Sequence, residues 1–167
     1  DHIQSKISKL DKRMRYVNYK FEDLKYNFKK YSIMIIYFAT LLTLTEAFLN
    51  SVELNLNNTA NSIVNYIPLV LSSLITLIAS IIKFNKYEEK IENITRSTEK
   101  CIATVAKMKG IKEDLYFCSE AKSLLQLKEH FNKNIYQEYL ESNTEIEKQL
   151  IDSDYTIYLK RVVNNSL

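Results

Sequence analysis

Two long apolar runs joined by a short loop, with lysine on their outer flanks, constrain this chain more than any other feature. From Tyr31 to Leu49 the sequence reads YSIMIIYFATLLTLTEAFL, with Glu46 as its one charge. From Ile63 to Phe84 it reads IVNYIPLVLSSLITLIASIIKF, and no charge falls between Ile67 and Ile82. A bilayer core takes about 20 apolar residues of helix. The two runs therefore predict a transmembrane hairpin over 31–84, with spans at 31–49 and 63–84 and a loop at 50–62.

The chain holds one Gly, one Pro and no Trp in 167 residues. Hairpins and sandwiches draw heavily on Gly and Pro in their turns, so the expected class is all-α with long helices. Charge is distributed unevenly. Residues 1–30 carry a net +5, 31–82 a net −2, 83–109 a net +3 and 110–167 a net −3. Lys and Arg gather on the side of a bilayer that is not translocated, which predicts both termini on the cytoplasmic side and the loop across it. No signal peptide precedes the first run, so targeting is expected from that run itself or from a leader outside this sequence.

Before the first run, Ile3, Ile7, Leu10, Met14, Val17, Phe21, Leu24, Phe28 and Tyr31 alternate spacings of four and three. That spacing marks a helix packing along one seam, and Ile35, Phe38 and Leu42 continue it. An amphipathic helix lying flat on a membrane uses the same residues but calls for a wider apolar face. After the second run, Phe84, Tyr87, Ile91, Ile94, Thr98, Cys101, Val105 and Met108 repeat the pattern. Pro68 is expected near the start of that helix, where its missing N–H is least costly, and Gly110 at its C-cap. At a rise of about 1.5 Å per residue, the two flanking segments span about 45 and 39 Å. They are expected to zip together as an antiparallel coiled-coil stalk of helix 1–30 with helix 85–109.

Residues 110–167 are expected to form a C-terminal helical pair, the first helix running from Lys112 to about Leu140. Ser142-x-x-Glu145 and Thr144-x-x-Glu147 match the capping-box pattern and predict the start of the second, with Ile146, Leu150, Ile151, Tyr155, Tyr158 and Val162 on its apolar face. Tyr136, Tyr139, Tyr155 and Tyr158 exceed what two short helices need for a core. Tyrosine rings suit interfaces, so these four are expected to form a partner surface.

Chemistry is thinly represented. Glu46 lies on a face with Ala39, Thr43 and Ala47, and small residues at this spacing let helices approach closely. Ser72, Thr76 and Ser80 form a matching row, and the two rows are expected to face each other. Glu46 itself is open to three readings: contact with headgroup water, a packed hydrogen bond, or a place in a pore. Cys101 and Cys118 are expected at similar heights on neighbouring helices, as buried thiols on a reducing face. His2 and His130 have no Ser, Cys or Asp constellation around them. The expectation is no catalytic, metal or cofactor site. The basic, tyrosine-interleaved stretch from Lys6 to Lys20 is assigned to the membrane and not to nucleic acid, because no motif for reading bases accompanies it. Asn57-Asn58-Thr59 is a glycosylation sequon in the translocated loop.

The stretch SSLITLIASIIKFNKYEEKIENITRSTEKC resembles the exit of the second span in two-transmembrane helical-hairpin proteins of large double-stranded DNA viruses of algae and protists. The layout over about residues 15–140 also looks like the SLATT domain, a two-span module with a cytoplasmic helical extension. The viral resemblance implies a structural protein linking a bilayer, such as a virion's internal membrane, to a protein layer, as a minor capsid or membrane component. The SLATT resemblance implies an oligomeric pore-forming effector. Either implies as partners a lipid bilayer and other protein subunits, capsid proteins among them in the first case, within a homo-oligomer or larger assembly.

Overall fold

The computed structural model describes residues 2–51, 58–118 and 121–164. Every regular element among them is helical, as the scarcity of breakers requires. In chain order they are α1 (His2–Ser51), α2 (Asn58–Asn85), α3 (Tyr87–Phe117), α4 (Ala121–His130), a π-helical turn (Phe131–Ile135), α5 (Tyr136–Lys148) and α6 (Asp152–Asn164). Helix α1 contains neither Gly nor Pro and runs unbroken from the basic segment through the first apolar run. Residues 52–57, which hold Glu53 and Asn57 of the expected loop and sequon, lie outside the described residues.

The chain divides into two compact units, Asp1–Asp23 with Lys90–Leu167, and Leu24–Glu89. The first is a helical bundle. Its α1 segment runs antiparallel to α3. The Lys112 Nζ donates to Gln4 Oε1 at 2.8 Å, while Asn18 and Phe21 line one recess with Ile94, Thr95, Thr98 and Glu99. Helix α5 is antiparallel to α3, since Lys107 pairs with Glu138 and Lys100 with Glu145. The core takes Ile7, Leu10 and Val17 from α1, Ile94, Cys101, Val105 and Met108 from α3, and Phe131, Ile135, Tyr139, Ile146, Leu150 and Tyr158 from the C-terminal elements. The α1 and α3 residues named here are seam positions of the sequence. Burial of each such side chain contributes about 1.5–3 kcal/mol.

In the unit Leu24–Glu89, α1 meets the chain just after α2 through aromatic rings. The rings of Phe28 and Tyr31 lie 6.5 and 6.0 Å from that of Tyr87. Leu71 and Ile78 of α2 are buried, and Ile35, Phe38 and Leu42 continue the α1 seam half-buried.

Several expected boundaries move. Helix α3 passes through Gly110 and ends at Phe117. The reason is that buried Met108 and Ile111 and half-buried Leu115 keep the apolar face going, and Gly110 does not take a positive φ. The long second helix is instead interrupted at Lys86, the one non-glycine residue with positive φ among those described, at 51°. Its N–H reaches Lys83 O at 3.2 Å. A side chain in this left-handed region costs about 1–2 kcal/mol. Pro68 lies inside α2, which starts at Asn58. Ser142 and Thr144 do not start a helix either, because α5 runs through both. The Ser142 hydroxyl is buried against Thr104 Oγ1 at 2.8 Å, and Thr144 donates to Leu140 O. The start that does form is at Asp152. There Asp154 Oδ2 accepts the Ile151 N–H at 3.0 Å, the backward half of a capping box. Finally, the continuity of α3 puts Cys101 on that helix and Cys118 just beyond its end, so the two thiols are not neighbours on facing helices.

A Cβ added at Gly110 meets nothing within 4 Å. Gly110→Ala should therefore stabilise the bundle by about 0.5–1 kcal/mol through helix propensity. In a Cys118→Ser background, modification of the buried Cys101 thiol should slow by about two- to five-fold under native conditions.

Candidate functional site

Two surfaces could carry function, one in each unit. In Leu24–Glu89 the observation is what lies uncovered. Ile33, Ile36, Tyr37, Leu41 and Leu44 stand exposed on one face of α1, and Leu69, Val70 and Leu77 on one face of α2. Two helices among the described residues are long and apolar enough to cross a membrane, and of their most apolar stretches none and 11% respectively is buried. The core helix of a water-soluble protein would have the opposite ratio.

The exposed face of α1 changes character abruptly. Lys25, Tyr26, Lys29 and Lys30 precede Ile33, Ile36 and Tyr37 at helical spacing on the same side, so charge gives way to hydrocarbon within three residues. Lys83 and Phe84 stand at the foot of the corresponding face of α2, with Phe84 88% exposed. The Tyr31–Tyr87 contact brings these two feet to within about one helical turn of the same level.

The small-residue rows do not face each other as expected. Thr43, Glu46, Ala47, Thr76 and Ser80 are exposed, and only Ala39 and Ser72 are half-buried. The aliphatic and aromatic seam takes the contact, because larger side chains bury more surface there. The hydroxyls need no partner helix. Thr43 donates to Ala39 O at 3.0 Å, Ser72 to Leu69 O at 3.0 Å, Thr76 to Ser72 O at 2.9 Å and Ser80 to Thr76 O at 2.8 Å. Glu46 has no ion-pair or hydrogen-bond partner among the described residues.

The second surface is where α5 and α6 lie on α1. Arg13, Lys20 and Asp23 meet Glu147, Asp154 and Arg161, at 2.7, 2.6 and 2.9 Å respectively. Glu147 and Asp154 of the acidic C-terminal region are thus paired inside the chain. Partners in this ladder are 134, 134 and 138 residues apart, a nearly constant offset that makes α6 parallel to α1. Arg13 also donates to the side chain of Asn143 and, at 3.3 Å, to its carbonyl. Lys20 also donates to Gln149 O at 2.8 Å.

The four tyrosines assigned to a partner surface belong to this internal joint. Tyr139 and Tyr158 are each 4% exposed and cannot reach a partner. Tyr16 meets Tyr155 edge-on at 5.7 Å, and Tyr19 stacks on Tyr158 at 6.0 Å. The Lys6 ammonium lies 4.6 Å from the ring centres of both Tyr136 and Tyr139. The rings are consumed in docking α5 and α6, because the grooves of the α1–α3 pair need large amphipathic side chains to fill them. A sequence signal for this joint existed in the seven-residue steps Glu147, Asp154, Arg161 against Arg13 and Lys20.

Burial weakens the acids in the joint. It pushes the Tyr158 hydroxyl up to about 12, reinforced by the nearby Asp23 and Asp154, and the Cys101 thiol up to about 11. Cys101 lies 3.4 Å from Ser142 O, a hydrogen-bonded position unsuited to a nucleophile. No group of three or more His, Cys, Asp or Glu side chains able to hold a metal occurs among the described residues. Compared with known proteins, the chain matches no family model, no curated protein and no solved structure.

Asp154 both pairs with Lys20 and holds the start of α6, so Asp154→Ala should cost about 2 kcal/mol and speed Cys101 modification about 30-fold. Glu138→Ala, which removes a half-exposed pair with Lys107, should change it by less than about three-fold. Tyr158 gives a pH dependence. Its unfolded form ionises near pH 10 and its folded form near 12, so the unfolded state binds fewer protons across that window and stability falls as pH rises through it. Bundle stability should drop by up to about 2 kcal/mol between pH 10 and 12, and Tyr158→Phe should flatten that part of the profile.

Proposed function

We propose that the chain is a non-enzymatic integral membrane scaffold. Its α1 and α2 segments form a two-span hairpin with both termini on the cytoplasmic side, and its bundle unit serves as a structured anchor for a protein layer. The observation that carries this reading is the pair of uncovered apolar faces. They need an apolar surrounding, and their hydroxyls are already satisfied by the preceding turns, as hydrocarbon requires. The lysines at the feet of those faces supply the orientation. Antiparallel pairing of α1 with α3 in the bundle, and ring contact of Phe28 and Tyr31 with Tyr87 in the other unit, support extension of the hairpin into a coiled-coil stalk. With the four tyrosines internal, the bundle offers a protein layer the exposed Tyr116 and Phe117 in their place. The resemblance to hairpin proteins of large DNA viruses makes a capsid layer above a virion membrane the setting to test first.

A second reading, an oligomeric pore-forming effector, draws on the hydroxyl row of exposed Ser73, Thr76 and Ser80 with half-buried Ser72. Dye release from vesicles would favour it, and abundance in purified particles without leakage would favour the scaffold.

Topology is tested by single cysteines in a Cys101→Ala, Cys118→Ser background. Lys9→Cys should react with an impermeant maleimide from the cytoplasmic side of sealed vesicles and Asn57→Cys only from the other. Reaction of both from one side would sink the hairpin.

A further inference from the structure

We propose that the feet of the two exposed helix faces form a belt that binds the phosphates of anionic phospholipids, built from Lys29, Lys30 and Lys83 with Tyr26 and Phe84. The inference rests on the hairpin reading and adds a lipid class to it. Its starting point is a juxtaposition that sequence distance conceals. Phe28 and Tyr31 of α1 are in ring contact with Tyr87 of α3 at 6.5 and 6.0 Å, so Lys29 and Lys30 between them share the level of Tyr87, just past the end of α2.

Lys83 lies one helical turn before Tyr87, on the side of the apolar run, and a flexible four-carbon stem lets its ammonium reach back to that common level. All three lysines are exposed, and none has an acidic partner among the described residues. Lys86, by contrast, is paired with Glu89 at 3.0 Å. Three uncompensated ammonium groups therefore face outward within about one helical turn of the same height.

Charge alone would suit any anion. The choice of lipid comes from what adjoins the charge. On α1 the same face turns apolar at Ile33, and on α2 the 88% exposed Phe84 stands directly beside Lys83. A soluble phosphate or an acidic peptide would neutralise the lysines and leave that hydrocarbon in water. A phospholipid covers both at once, its phosphate on the ammonium groups and its chains along Ile33, Ile36 and Leu77. Tyr26, 68% exposed, has the amphipathic ring that settles at headgroup depth. A zwitterionic headgroup brings its own cation to the phosphate, so the three lysines discriminate in favour of lipids that lack one.

The test uses the full chain in phosphatidylcholine vesicles containing a minor fraction of phosphatidylglycerol. Spin-labelled lipids report relative association with the protein, and alkaline carbonate extraction of the same samples reports insertion. The belt predicts at least about a three-fold preference for phosphatidylglycerol over phosphatidylcholine, weakened by salt. The preference should vanish in Lys29→Gln/Lys30→Gln/Lys83→Gln and persist in the corresponding triple Arg variant, with insertion unchanged in both. Millimolar inorganic phosphate should not displace the lipid; if it does, the site recognises the free anion and the lipid assignment is wrong. A wild-type chain that stays inserted without preference, or a Gln variant that keeps it, overturns the belt alone. Release of the wild-type chain by carbonate overturns the hairpin reading and the belt with it.

Discussion

One unbroken seam on α1 is the constraint on which both units depend. Ile7, Leu10 and Val17 bury in the bundle, and Phe28, Tyr31, Ile35, Phe38 and Leu42 continue the same stripe in the other unit. A helix can serve two environments in this way only if its inward stripe stays apolar while its outward face changes. The outward face does change, from Lys25, Lys29 and Lys30 to Ile33, Ile36 and Tyr37. The inward residues do not register that change, because packed side chains meet the same surroundings in either case.

The bundle shows a division of labour between apolar burial and charge. Most of its stability comes from the seam residues and the buried aromatics. Exposed pairs such as Lys107–Glu138 and Lys133–Glu129 add little against solvent and side-chain entropy. The Lys20–Asp154 pair is different, with side chains 20% and 12% exposed and further hydrogen bonds on both partners. Its contribution is largely one of register. A slip of α6 along α1 would separate Lys20 from Asp154 and Asp23 from Arg161 together, stranding half-buried charge.

Local propensity alone misplaced the C-terminal helices. Ser142 and Thr144 have the residue types of a cap, yet a small hydroxyl residue also fits a crowded helix crossing. At Ser142 the second use prevails, because its Oγ meets Thr104 beside the buried Cys101. Gly110 is a parallel case. A glycine costs a helix about 1 kcal/mol, less than the burial of Met108 and Ile111 returns.

The sequence by itself determined the all-helical class, the two apolar runs and the seam positions, since these follow from composition, length and periodicity within one segment. It also contained the sharp switch from lysine to hydrocarbon at Lys30 and Ile33. Only the tertiary structure decided that Tyr136, Tyr139, Tyr155 and Tyr158 belong to a joint with α1 and not to an outside partner. It alone decided that Thr76 and Ser80 lie uncovered while Ser72 is half-buried, and that Lys29 and Lys30 come to the level of Tyr87, one helical turn beyond Lys83. The reason is physical. Periodicity says which face of a helix is apolar, but which neighbour covers that face depends on residues some 130 positions away, brought together by shape and by charge pairs that no single segment encodes.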